Sequence, residues 1–162
     1  MALALLTSSL MGFVSLVITM FLGFAIDSRP EVNQHFLFAL FTTFVAVLAQ
    51  CMSIFYFIGT AKQVKDLMAD HPDRNAFIAR TKRFKSRVFR PALFAILFTM
   101  TVFIIGGGVD TQVIPVWIHT TLAVLALLTN LYALLREFQY MAQNNVLLDE
   151  VAVLVGNVPK SE

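Results

Sequence analysis

Charge is scarce in this sequence, and its distribution is uneven. Only 14% of the 162 residues are Asp, Glu, Lys or Arg, against roughly 25% in a soluble domain. Four stretches carry none of these residues: Ala2 to Ile26, Phe36 to Ala61, Ala92 to Val109 and Thr111 to Leu135. A helix crosses the hydrocarbon core of a bilayer with about 20 mostly apolar residues. The charge-free stretches exclude a water-soluble globule and predict four transmembrane helices. Cysteine is also nearly absent. The single Cys51 excludes an intrachain disulfide and says little about redox compartment. No phosphate-binding glycine loop, HExxH or CxxC occurs, and no GxSxG elbow, so independent catalysis is not expected. No lysine or arginine precedes the first apolar run, which is too long for a signal-peptide core; it reads as a retained first helix.

The expected fold is therefore an all-α integral membrane protein, an antiparallel four-transmembrane-helix bundle. Residues 1–61 form a first hairpin with spans 2–26 and 36–61. Residues 62–90 form a basic connection. Residues 91–143 form a second hairpin with spans 92–109 and 115–136, and 144–162 a polar tail. Pro91 and Pro115 suit first helical positions. Gly106, Gly107 and Gly108 are expected to loosen or end the third helix.

Nine of the twelve basic residues lie between spans two and three, from Lys62 to Arg90. Basic loops stay on the cytoplasmic side. That places both termini in the cytoplasm and the two short turns outside, with a bacterial inner membrane as the expected setting. Within 74–90, Phe77, Thr81, Phe84 and Val88 form a stripe flanked by Arg80, Lys82, Arg83, Lys85, Arg87 and Arg90. This is an amphipathic basic helix suited to anionic lipid headgroups, or a cytoplasmic extension of span three that docks a partner. Topology already accounts for the basic residues, so nucleic acid is not an expected partner. His71-Pro72-Asp73 matches the tripeptide of J-domain co-chaperones. The surrounding loop is too short for that domain, and the segment reads as a turn and helix start.

The two hairpins resemble each other. His35, Ala39, Thr42, Ala46, Ala49, Ser53 and Tyr56 step by 4 and 3, as do His119, Ala123, Ala126, Asn130, Ala133, Glu137 and Tyr140. Such steps place each set on one helix face. Gly23-Phe-Ala-Ile-Asp27-Ser28 and Gly106-Gly-Gly-Val-Asp110-Thr111 precede them. The pattern predicts two helical-hairpin repeats related by a pseudo-two-fold axis along the membrane normal. Small residues bring membrane helices together, so the two stripes, together with Ser8, Gly12, Ser15, Thr19 and Gly23 of span one, are expected to face inward. Phenylalanines such as Phe36, Phe41, Phe44 and Phe55 fall off the stripes and face lipid or fill gaps.

His35 and His119 are then the candidate site residues, at equal depth near the outer surface. Two imidazoles facing across a bundle can hold haem b between them. Joined by Asp27 and Asp110, they could instead bind a transition metal such as zinc, iron or copper. The corresponding functions are electron transfer or an accessory place in a larger membrane complex, with other membrane subunits as partners. The alternatives are a site-free structural subunit or assembly factor, and a transporter of a small solute or ion. Gln50 and Asn130 are expected to hydrogen-bond between helices. Arg136 and Glu137, near the inner end of span four, read as interfacial.

Overall fold

A computed structural model describes residues 2–156. The chain forms α1 (Ala2–Phe24), α2 (Arg29–Leu67), α3 (Arg74–Asp110) and α4 (Val116–Gly156), and each is long and apolar enough to cross a membrane. Short connections make neighbouring helices antiparallel. The helices pack in the cyclic order α1–α2–α3–α4, with α1 closing against α4. Across the diagonals, α2 meets α4 while α1 and α3 do not touch.

Local sequence accounts for the helix ends. At the start of α2, Glu31 accepts the backbone N–H groups of Ser28 and Asp27 at 2.8 and 2.7 Å. This is the carboxylate half of a capping box, and those bonds hold the Glu31 carboxyl below its ordinary range. Pro115 precedes α4 directly, and its carbonyl accepts the Ile118 N–H at 3.1 Å. Pro91, by contrast, lies inside α3 rather than at its start. The helix has already begun at Arg74, because the apolar stripe upstream of Pro91 is buried. The three glycines do not end α3 either, since it continues to Asp110. Gly106 packs against an imidazole, and Gly108 leaves room for Ile114, whose Cδ1 would lie 2.6 Å from an added Cβ.

Three helices exceed a bilayer's thickness. At 1.5 Å per residue, α2, α3 and α4, with 39, 37 and 41 residues, are about 55–60 Å long against a hydrocarbon core of about 30 Å. The basic connection is therefore the end of α2, a turn over 68–73 and the start of α3. Phe77, Thr81, Phe84 and Val88 are buried, so this stripe faces the protein's own core and not lipid. Lys82, Arg83, Lys85, Arg87 and Arg90 remain exposed on the other faces. The first part of the expected polar tail instead continues α4 to Gly156, with Leu147 and Val151 fully buried. Pro159 and the end of the polar tail lie outside the described residues.

The core has two compositions. Through the spans it is built from Thr42, Ala46, Ala49, Ala92, Ala95, Thr99, Ala126, Asn130 and Ala133. In the extensions it is built from Val64, Met68, Phe77, Phe84, Val88, Met141, Leu147 and Val151. The surrounding solvent explains the change. Water drives large apolar groups inward, whereas lipid does not, and helices there associate through close packing of small residues. Phe36, Phe41, Phe44 and Phe55 are exposed on the outside of the bundle, at 50–69% of their surface.

Candidate functional site

His35 lies in the second turn of α2 and His119 in the first turn of α4, so both sit at the end of the bundle that carries the short turns 25–28 and 111–115. Their rings face across the α2–α4 diagonal with centroids 6.4 Å apart and planes at 84°. Each imidazole rests on a glycine of the preceding helix. A Cβ added to Gly23 would lie 3.0 Å from His35 Cε1, and one added to Gly106 would lie 3.2 Å from His119 Cε1. Each ring also approaches a backbone carbonyl one turn before its glycine, Thr19 for His35 and Val102 for His119. Both Nδ1 atoms are nonetheless buried without a closed hydrogen bond. The glycine, the carbonyl and the histidine recur together in the two hairpins, offset by 83 or 84 residues.

The aspartates do not join this pair. Asp110 is bound by the Arg29 guanidinium on the outer surface, and Asp27 is exposed in the first turn. Among the described residues no group of three or more His, Cys, Asp or Glu side chains stands close enough to hold a metal ion. The structure thus brings His35 and His119 together and leaves Asp27 in the first turn and Asp110 at the end of α3, away from them.

The inward stripe of α1 also differs from expectation by one position. Leu5, Ser9 and Gly12 are buried, while Ser8 donates to its own helix at the Ala4 carbonyl. Gly12 sits 3.1 Å, measured from an added Cβ, from the Ala46 Cα, and Thr19 donates to Thr42 at 2.9 Å. Asn130 meets the expectation of an interhelical bond by donating to Thr99 at 2.8 Å. The Gln50 carbonyl oxygen is buried without a partner.

The largest departure is Glu137. It is 0% exposed and lies in the bundle interior rather than at the interface. Its neighbour Arg136 stays on the outer flank, over the Tyr132 ring. The stripe His119–Tyr140 already placed Glu137 on the inward face, and that signal outranks its nearness to the end of the charge-free run. One to two turns further on, the Tyr56 hydroxyl accepts from Asn144 at 3.2 Å and donates to Asn145 at 2.9 Å. No protein-family model, curated protein or solved structure matches the chain.

Proposed function

We propose that this protein is a small membrane electron carrier, or the electron-carrying subunit of a larger membrane complex, with one haem b held between His35 and His119. The observation that carries this reading is the separation of the imidazoles. Two imidazoles bound to opposite sides of one metal at about 2.0 Å each have ring centres roughly 6 Å apart, and these stand at 6.4 Å. The long diagonal favours a flat ligand. Helices α1 and α3 make no backbone contact across the other diagonal, which is the direction in which a flat ligand between the rings would extend. Haem would supply one-electron chemistry. His35 and His119 would supply the ligating nitrogens, and the Thr19 and Val102 carbonyls would orient their rings. Among the described residues no carboxylate or thiol stands beside the two imidazoles as a third ligand, which favours haem over a bare metal ion.

The exposed basic face of α3 is suited to anionic headgroups of the cytoplasmic leaflet. On this reading the basic turn and both helix extensions are cytoplasmic, and the histidines face the outside of a bacterial inner membrane. A reporter inserted at residue 70 should read as cytoplasmic, and a periplasmic signal there would reverse the orientation.

The site is tested on protein expressed with haem precursor and purified in detergent. The expected spectrum has a Soret band and, on reduction, the sharp α and β bands of six-coordinate haem. His35→Ala and His119→Ala should each give five-coordinate haem or lose it. A preparation that takes up no haem, even after titration with hemin, sinks the proposal.

A further inference from the structure

The Glu137 carboxylate is fully enclosed, and neither of its oxygens has a hydrogen-bond partner. Three other buried oxygens nearby are also unpartnered: Ser9 Oγ on α1, and Gln50 Oε1 and Ser53 Oγ on α2. These residues are 4%, 3% and 0% exposed. Both hydroxyls face the Glu137 carboxyl, and Gln50 lies one turn from Ser53. Buried polar atoms are almost always satisfied, so a buried carboxyl with two hydroxyls turned toward it and no closed hydrogen bond among them, one turn from a third unpartnered oxygen, points to a ligand.

The chemistry of that ligand follows from the surroundings. An isolated ionised carboxylate in a dry interior is untenable without a counter-charge. Helix α1 contributes no charged residue at any position. Helix α2 faces this level with Gln50, Ser53 and the Tyr56 phenol. Helix α3 passes it at Val88, between the Phe84–Tyr140 contact and the Thr99–Asn130 hydrogen bond. On α4 the neighbours are Tyr140, whose ring packs on Phe84, and Arg136, which is turned away onto Tyr132. Arg87 and Arg90 of α3 are exposed on the outer surface. Among the described residues no basic group pairs with Glu137. All five atoms are hard oxygens, the donor set of a hard cation. One formal negative charge balances one positive charge.

We propose that Glu137, Ser9, Ser53 and Gln50 form a binding site for a single monovalent cation, a sodium ion or the proton that competes with it. The site is separate from the histidine pair. Glu137 lies 18 residues beyond His119 on the same helix, about 27 Å along its axis, so its test does not depend on haem.

Melting of the intact protein in detergent is measured in NaCl and in choline chloride at equal ionic strength, between pH 5 and 9. For sodium, the melting temperature should rise with NaCl and not with choline. Each tenfold increase above the dissociation constant should multiply the apparent folding constant about tenfold. The effect should shrink toward low pH and vanish in Glu137→Gln. For a proton, sodium should have no specific effect, and Glu137→Gln should remove a pH dependence that the wild type shows. In choline at high pH, Glu137→Gln should melt above the wild type, since its buried side chain carries no charge. If Glu137→Gln does not fold, Ser53→Ala replaces it and should weaken the same dependence. Equal melting in sodium and choline, with the same pH profile in wild type and variant, overturns the proposal.

Discussion

At the scale of single residues, glycine sits in two distinct settings here, and alanine substitution separates them. A methyl group at Gly59 meets nothing within 4 Å, so Gly59→Ala should gain the helix propensity of alanine, up to about 1 kcal/mol. At Gly23 and Gly106 the new Cβ would lie 3.0 and 3.2 Å from the Cε1 of a histidine. Overpacking of that kind costs about 1–3 kcal/mol, which offsets or exceeds the propensity gain. Gly23→Ala should therefore lower the melting temperature more than Gly106→Ala, and Gly59→Ala should raise it. On the proposed haem reading, the first two should also shift the absorption bands by displacing an imidazole, while Gly59→Ala should leave the spectrum alone. The contact between glycine and histidine is only half legible in the sequence. The repeated Gly-x-x-(Ile/Val)-Asp-(Ser/Thr) motif and the histidine after it are visible, but the ring seated on the glycine depends on the hairpin geometry. Glu137 shows the reverse case. Its place on the inward stripe was legible, whereas its depth depends on how far α4 continues past the charge-free run.

At the scale of helices, the extensions of α2, α3 and α4 form a water-type core and the spans a lipid-type core, and substitution should reveal the difference. Leu147 is 0% exposed in the extension, and Leu147→Ala should cost about 2–5 kcal/mol in thermal or denaturant unfolding. Phe44 is larger but faces outward, 67% exposed. Phe44→Ala should change stability by less than about 0.5 kcal/mol. The extension is also joined by an ion pair between Arg80 of α3 and Glu150 of α4. The hydrogen bond from Arg80 holds the Glu150 carboxyl below its ordinary value of 4.5. A lowered carboxylate stabilises the fold above its unfolded value, and that contribution is lost as the pH falls through the folded value. Both side chains are 41% exposed, so the pair contributes less than about 1 kcal/mol. Glu150→Gln should thus melt slightly below the wild type at neutral pH, and the two curves should converge as the pH falls through the lowered folded-state value. The four helices were legible from the uncharged runs alone. Their true lengths were not, because an apolar stripe set among arginines has the same sequence pattern whether it lies on lipid or on two neighbouring helices. Pro91 was misleading for the same reason, since a proline at the edge of an apolar run marks a helix start only if no helix precedes it.

At the scale of the whole molecule, one inward seam runs unbroken from the histidines to the far end of the extension. On α4 it passes through His119, Ala126, Asn130, Ala133, Glu137, Tyr140, Asn144, Leu147 and Val151, and on α2 through His35, Thr42, Ala46, Ala49, Ser53, Tyr56, Thr60 and Val64. The 4–3 stepping that suggests a duplicated hairpin is also the stepping of any helices packed at a 3.5-residue period. The stripe therefore speaks for bundle packing, and the matched glycine, carbonyl and histidine speak for the repeat. Such a seam is phase-locked. One residue inserted near Arg83 would rotate everything upstream by about 100° relative to the span, turning Phe77 and Thr81 out of the core and Lys82 into it. Seven inserted residues in each of the three extended helices would keep the phase and lengthen the extension by about 10 Å. A one-residue insertion should abolish folding of the extension, measured as protease sensitivity at the 68–73 turn. The matched seven-residue set should stay resistant. Homologous chains in which this part has grown or shrunk should differ in length by multiples of seven per helix, a discrete spacing imposed by the bundle itself.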